Sequence, residues 1–334
     1  MNSSLDSELL PTVAEVEAAA RRIAGRAVET PLLEWPALNE RIGGRVLMKP
    51  EQLQRTGSFK FRGAFNKLSR LAELGGSAGA VVAYSSGNHA QGVAAAAQLL
   101  GFNATIVMPS DAPAIKIANT RSYGAEVVLY DRQRDNREAI ADDLAVKTGA
   151  TIVRPYEDAD IISGQGTVGL ELARQARARG AELDAALIPC GGGGLIAGST
   201  LALQATWPRL PVFACEPEGF DDTGRSLAAH RRLGIVAGAK TVCDGLMAPT
   251  PGRLTFALND RQLAGGIALS DDEVFAAMAY GFQVLKLVLE PSGAVTLAAL
   301  LSGKFQGRGL TVGIVCSGGN VDPEVYARAL KAAI

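Results

Sequence analysis

An α/β protein built on parallel sheets is what this sequence predicts, and three observations predict it. Short apolar runs alternate with helical segments from Ala80 onward, the rhythm of parallel strands joined by crossover helices. The runs are nearly continuous in apolar residues, as in Ala80-Val81-Val82-Ala83-Tyr84 and Thr311-Val312-Gly313-Ile314-Val315, which implies sheets covered on both faces. Glycine is abundant, 38 in 334 residues, and several glycines directly follow such runs, where tight turns and close approach of backbone to a ligand require it.

The length fits about two domains, with enough chain to bury a sizeable core. Hydrophobic content of 48% with 20% charged residues is that of an ordinary globular protein, and the net charge of −1 leaves no electrostatic footprint for nucleic acid or an anionic membrane. Cys190, Cys215, Cys243 and Cys316 are widely spread without a CxxC pair, so neither a zinc ribbon nor a disulfide scaffold is expected. Met1-Asn2-Ser3-Ser4 lacks the basic and apolar regions of a secretory leader, and no run reaches the roughly 18 apolar residues of a membrane span. A cytoplasmic protein is expected.

In chain order, Pro11 to Ala24 reads as a helix, with Thr12 and Glu15 at capping-box spacing. A small helix at Ala37–Arg41 precedes a strand at Arg45–Lys49, and Leu53–Ser58 is a loop. A helix from Gly63 to Leu74 leaves Lys60 just before its N-terminus. The α/β units then follow: strands at Ala80–Tyr84, Ala104–Met108, Glu126–Tyr130 and Thr151–Val153, with helices at His89–Leu100, Ala112–Tyr123 and Asp135–Thr148. After Pro155 come a helix at Gly164–Arg179, a strand at Ala185–Pro189, a helix at Leu195–Gln204 and a strand at Val212–Glu216. Helices at Ser270–Leu289 and Pro291–Leu301, a strand at Thr311–Cys316 and a helix at Pro323–Ala333 complete the chain. The division expected is a large domain of residues 1–80 and 156–334 and a small α/β domain of residues 81–155.

Four segments carry chemistry. Cys190-Gly191-Gly192-Gly193-Gly194-Leu195 runs from a strand into a helix and exposes backbone N–H groups at the positive end of the helix dipole, which suits a phosphate. It has neither the GxGxxG spacing nor a Walker lysine, and a merely tight turn is the competing reading. Ser85-Ser86-Gly87-Asn88-His89 sits at another strand end; it suits a carboxylate, although Asn88 also reads as a plain N-cap and His89 as a scaffold group. Cys316-Ser317-Gly318-Gly319-Asn320 occupies a third strand end, and Ser58-Phe59-Lys60-Phe61-Arg62-Gly63 places a lysine before a helix. Open α/β sheets bind ligands beyond the carboxyl ends of their strands, so these segments converge on one cleft. A ligand with a phosphate, a polar ring and an electrophile for lysine satisfies all four, and pyridoxal phosphate is such a ligand.

Taken together, in this order, the four motifs resemble the fold-type II pyridoxal phosphate enzymes, and more closely their threonine/serine dehydratase and serine racemase branch; the resemblance extends from about Pro11 to the C-terminus. It implies a tryptophan synthase β-like fold, two open twisted mostly parallel sheets with the cofactor in the cleft between a large and a small domain. It also implies roles. Lys60 carries pyridoxal 5'-phosphate as a Schiff base and is the acid/base at the substrate Cα. Phe59 packs on the ring, Asn88 bonds the phenolic oxygen, Gly191, Gly192, Gly193, Gly194 and Leu195 bind the phosphate, and Ser317 faces the ring nitrogen.

Ser85, Ser86, Asn88 and His89 are implied to hold the substrate carboxylate, and Ser86 matches the acid/base of racemases on the opposite face. Arg137 matches a substrate-proximal arginine, and Glu290 falls in a segment near the cofactor. Glu216, the Phe220 carbonyl and Asp222 match a divalent-cation site, which hard oxygen ligands would suit to Mg²⁺ or Ca²⁺; an acidic turn is the alternative. The activity implied is a dehydratase (ammonia-lyase) that converts a β-hydroxy amino acid, L-threonine first and L-serine second, to a 2-oxo acid and ammonia, in a homodimer. Alternatives are an amino-acid racemase, or a dehydratase of 3-hydroxyaspartate or of a hydroxyectoine-derived hydroxy amino acid. Because the chain ends at Ile334, soon after the last motif, an isoleucine-responsive regulatory domain is not expected, and a catabolic or specialised enzyme fits better.

Overall fold

Nine apolar runs become strands: β1 (Arg45–Pro50), β2 (Ala80–Tyr84), β3 (Asn103–Pro109), β4 (Glu126–Tyr130), β5 (Thr151–Ile152), β6 (Ala185–Pro189), β7 (Val212–Pro217), β8 (Gly265–Leu269) and β9 (Thr311–Cys316). The computed structural model describes residues 10–76, 79–85 and 87–332. The strands form two sheets, one ordered β1-β9-β6-β7-β8 and one ordered β4-β3-β2-β5. Every pairing between named strands is parallel. Every residue of β6 is buried, as expected of a parallel strand covered on both faces.

Most local expectations are met to within a residue or two. The first helix spans Val13–Ile23 with the Thr12–Glu15 capping box in place, and Pro291–Leu301 and β9 begin and end where the sequence places them. Three differ. Lys60 is the first residue of its helix, Lys60–Leu71, with Phe59 as N-cap, rather than a residue before it. The helix after β5 starts at Ala159, capped by the Asp158 side chain on the Asp160 and Ile161 N–H groups. The stretch Ser270–Leu289 stays α-helical only through Tyr280; it widens over Gly281–Leu285 and stops at Lys286, whose φ is +59°.

The helices Asp222–Ala229 and Arg253–Gln262 and the strand β8 carried no sequence signal strong enough to be read. In β8 the Gly265-Gly266 pair serves packing: a Cβ on Gly266 would lie 2.5 Å from Gly224 Cα, so glycine lets the helix Asp222–Ala229 lie on the strand.

Lys60's helix is seated on the helix Ala159–Ala178, again through glycine; a Cβ on Gly164 would meet Gly63 Cα at 2.7 Å. Below the contact lies a buried ionic cluster. Arg62, fully buried, donates to both oxygens of Glu51 (2.7 and 2.8 Å) and both of Glu171 (2.6 and 2.8 Å). Thr167 Oγ1 and the Val28 carbonyl take the rest of its reach. Lys49 Nζ completes the cluster on Glu171 at 2.7 Å. The loop before Lys60 is tied to the end of β9 by an antiparallel bridge, Ser58 to Gly318, with Phe59 N–H donating to Ser317 C=O (3.2 Å) and Gly319 N–H to Gly57 C=O (3.0 Å). Segments far apart in the chain are thereby stitched edge to edge.

Candidate active site

One cavity gathers the motifs. It is lined by Phe59 and Lys60, by Ser85, Gly87, Asn88 and His89, by Gly191 to Leu195 and by Ser317, so the three strand-end segments and the lysine segment do converge. Ser86 lies outside the described residues. Glu216, Phe220 and Asp222 do not belong to this cavity; they sit at the end of β7 and the start of the following helix.

The glycine loop is open to a ligand because its side is closed by an aromatic ring. A Cβ on Gly192 would lie 2.2 Å from the Tyr156 ring, so only glycine admits that tyrosine. Gly193 has φ +89° and a Cβ there would press on Asn259 and Thr255. Among the described residues the N–H groups of Gly191 to Leu195 donate to no protein acceptor, and they open the helix Gly194–Thr206. A row of free donors at a helix N-terminus fits a phosphate group.

Lys60 Nζ lies 5.1 Å from the Phe59 ring centre and donates to the Pro155 carbonyl at 2.9 Å. Burial, with no carboxylate beside it, lowers its pKa to about 8, so at pH 7 about a tenth is the neutral amine that a carbonyl group requires, far more than for an ordinary lysine. His89 is pushed down to about 3 by burial and then by Lys60. Its Nε2 meets the Val153 carbonyl at 2.9 Å, so the neutral ring carries its proton there and has only a lone pair at Nδ1. The imidazole is therefore a scaffold group, and the segment can offer a carboxylate only N–H and hydroxyl groups. The Ser317 hydroxyl donates to the Ser292 carbonyl at 3.3 Å, a long bond that it can exchange for a ring nitrogen.

Several lining residues carry no motif: Tyr84, Lys116, Arg132, Tyr156, Gln165, Ser292 and the segment from Asp244 to Ala248. Arg137, singled out by resemblance, is in the wall, with its guanidinium carbon 5.3 Å from the Tyr84 ring centre. The Asp244-Gly245 pair is the one local sign among these, since it marks a turn.

The pattern of the family described as pyridoxal-phosphate dependent enzyme matches residues 23–318. This chain belongs to that family. The L-threo-3-hydroxyaspartate ammonia-lyase of Pseudomonas sp is 45% identical over 95% of this chain and 98% of its own length. The serine racemase of Schizosaccharomyces pombe is 38% identical over 98% and 99%. The crystal structure of the threonine deaminase of T.th. superposes with a TM-score of 0.87 at 43% identity, covering 93% of this chain and 99% of that one. The protein is thus a fold-type II enzyme that uses pyridoxal phosphate, in the ammonia-lyase and racemase family. The free N–H row of the glycine loop and the depressed Lys60 fit that cofactor. Among the described residues no helix is long and apolar enough to cross a membrane.

Proposed function

We propose that this enzyme is an ammonia-lyase for β-hydroxy amino acids and that its preferred substrate carries a second carboxylate, as 3-hydroxyaspartate does. The observation that carries the preference is Arg137. Its guanidinium is in the cavity wall, over the Tyr84 ring, and unlike its neighbours Arg132 and Arg134, which pair with Asp111 and Asp131, it joins none of the ion pairs among the described residues. Facing it with the methyl group of threonine would leave that cation unpaired, whereas a β-carboxylate would pair with it bidentately. The 45% identity to a 3-hydroxyaspartate ammonia-lyase supports the same substrate. L-Threonine and L-serine are the second reading, supported by the likeness to a threonine deaminase.

When bound, pyridoxal phosphate supplies the carbonyl that joins the substrate amine and the ring that spreads the electrons left at Cα. Lys60 would hold the cofactor and then receive the Cα proton at Nζ. Gly191 to Leu195 would hold its phosphate, Asn88 its ring oxygen, and Ser317 its ring nitrogen, with Phe59 against the ring. Ser85, Ser86 and the N–H groups opening the helix Asn88–Leu100 would seat the α-carboxylate. The β-hydroxyl leaves with a proton as water, and the released enamine hydrolyses to a 2-oxo acid and ammonia. By the family resemblance, Ser86 would return a proton to the face of Cα away from Lys60 where racemisation competes. Residues 81–155 would form the small domain, and the exposed apolar side chains of Phe282, Val284 and Val288 support a homodimer.

Arg137→Met is expected to lower kcat/KM for L-threo-3-hydroxyaspartate by about 100-fold, the loss of a charge-assisted pair, and to leave threonine within about tenfold of the native enzyme. Equal losses on both substrates would sink the dicarboxylate preference.

A divalent cation at Glu216 and Asp222 belongs to the same proposal. Both oxygens of the buried Asp222 carboxylate lack a hydrogen-bond partner among the described residues. Glu216 accepts from Thr223 N–H (2.9 Å) and Gly224 N–H (2.8 Å), which leaves lone pairs free. Burial pushes Asp222 up to about 7 and Glu216 up to about 8, so two carboxylates charge at a cost that a cation would offset. Because these pKa values are raised in the folded protein, the stability they confer is complete below the unfolded carboxylate range and is lost as pH rises through 7 to 8. The Tm of metal-free enzyme should therefore fall between pH 6 and 8.5, millimolar Mg²⁺ or Ca²⁺ should cancel the fall, and Asp222→Asn should remove most of both effects. A metal-insensitive Tm across that range would exclude the site.

A further inference from the structure

A lysine other than Lys60 reaches the cavity. Lys116 stands on the helix Ala114–Ser122 beside the four-stranded sheet, and its side chain is 3% exposed. Its stem lies on Gly87, where a Cβ would come within 2.9 Å of Lys116 Cδ. Its Nζ is 2.6 Å from Asp244 Oδ2 and 3.6 Å from Glu290 Oε2. Both acids belong to the five-stranded body, Asp244 in the turn Asp244–Leu246 and Glu290 as the residue capping the helix Pro291–Leu301.

Glu290 connects this cation to Asn88. Its Oε1 accepts from Asn88 Nδ2 at 2.5 Å, and its Oε2 has no hydrogen-bond donor among the described residues. Asn88 Oδ1 accepts from Asn320 Nδ2 at 2.9 Å, and Asn320 Nδ2 also donates to the Thr56 carbonyl at 2.8 Å. The Asn88 amide is therefore oriented from both ends: its oxygen is taken by Asn320, one amino hydrogen by Glu290, and one amino hydrogen is left for the cavity. Only an ionised Glu290 holds that arrangement well, because a charged acceptor binds an N–H roughly twice as strongly as a neutral one.

Glu290 is nearly fully buried, and its burial works against its charge. The charged and titratable groups around it are Lys116 and Asp244, with Asp322 acting on Lys116 and Cys243 close by. Burial pushes Glu290 up to about 7 even with the ammonium beside it. Lys116 is the one cation in that set. Burial lowers its own pKa, Glu290 and Asp244 more than offset this, and it stays above the usual lysine range.

We propose that Lys116 is a positioning residue: its ammonium, held by Asp244, keeps Glu290 ionised so that Asn88 presents its free N–H to the cofactor's ring oxygen. The inference rests on the cofactor placement argued above. It makes a residue of one sheet responsible for the cofactor contact of another segment, so assembly of the cavity wall and tight cofactor binding become one event.

The test is titration of pyridoxal phosphate into the apoenzyme, followed by absorbance, from pH 6.5 to 9, with the fold checked by circular dichroism. Lys116→Met should weaken binding about tenfold at pH 7, the worth of one charge-assisted hydrogen bond. The deficit relative to the native enzyme should shrink toward pH 9, where Glu290 ionises unaided. Glu290→Gln, isosteric and uncharged, should show a deficit that does not recover with pH, and Lys116→Arg should restore most of the affinity. A Lys116→Met deficit that is absent, or constant with pH, overturns the proposal. Where Lys116→Met does not fold, native-like affinity in Glu290→Gln overturns it, and a pH-independent deficit supports it. A native protein that does not bind pyridoxal phosphate would overturn the cofactor placement itself, which is a separate outcome.

Discussion

Lys60→Ala is expected to abolish the visible absorbance of the lysine-bound cofactor and to reduce ammonia release by at least about 10³-fold, since the proposed function gives one residue both the covalent link and the Cα base. The same variant should fold normally. Lys60 makes one hydrogen bond, to the Pro155 carbonyl, and that carbonyl keeps Gln165 Nε2 at 3.3 Å as a second donor. Burial opposes the Lys60 charge in the native protein, so replacing it with a neutral group relieves a desolvation penalty. Thermal melting should therefore shift little while turnover disappears. Oxo-acid production near the native rate in Lys60→Ala would sink the assignment of this lysine.

Two residues further along the same helix the expected effect is on stability. Arg62→Ala should destabilise the protein by about 3–5 kcal/mol, the range for removing one partner of a buried ion pair. The reason lies in what is left behind. Burial pushes Glu51 upward, but Arg62, Lys49 and Thr30 outweigh it and hold the carboxylate below its usual range. Without the guanidinium, Glu51 at 0% exposure keeps only the Thr30 hydroxyl at 2.6 Å as a side-chain donor.

The sign of the pH effect follows from the lowered pKa. The native pair contributes stability above the unfolded carboxylate range and loses it as pH falls through the folded value. The native-minus-variant difference, measured by urea unfolding, should accordingly be greatest near pH 7 and shrink below about pH 4.5. An Arg62→Ala protein with an unchanged midpoint at pH 7 would show that the cluster contributes specificity alone. The destabilised variant should also bind pyridoxal phosphate weakly, because Lys60 is the first residue of the helix that Arg62 anchors.

Much of this enzyme is legible in local stretches of sequence. β6 and β9 begin and end where apolar runs meet turn residues, because a strand buried on both faces has no freedom to be polar. The glycine loop, Asn88, Ser317 and Lys60 are legible for a related reason. Each stands at a strand end or helix start, so the role proposed for it is written in a few consecutive residues. The likeness of the four motifs to the pyridoxal phosphate enzymes adds the roles, and the match over residues 23–318 agrees with it. The failures are also local in origin. β8 is not legible because its Gly265-Gly266 start, which serves close packing on Gly224, breaks the apolar run, and the stretch after Ser270 keeps a helical rhythm beyond Tyr280, where its backbone has already widened.

What the sequence alone determined is the α/β rhythm and the motifs around Lys60 and Gly191 to Leu195 from which the family is legible, each set by short-range chemistry. Only the tertiary structure decided that Tyr156 closes the side of Gly192, that Arg137 faces the cavity and that Lys116 comes to rest between Asp244 and Glu290. Those neighbours are separated by tens to hundreds of residues, and their meeting depends on the order in which parallel strands assemble and on how closely glycines let helices approach. The same order decided Lys60 itself. A lysine beside phenylalanine has its pKa lowered only when packing removes water and counter-charge from around it.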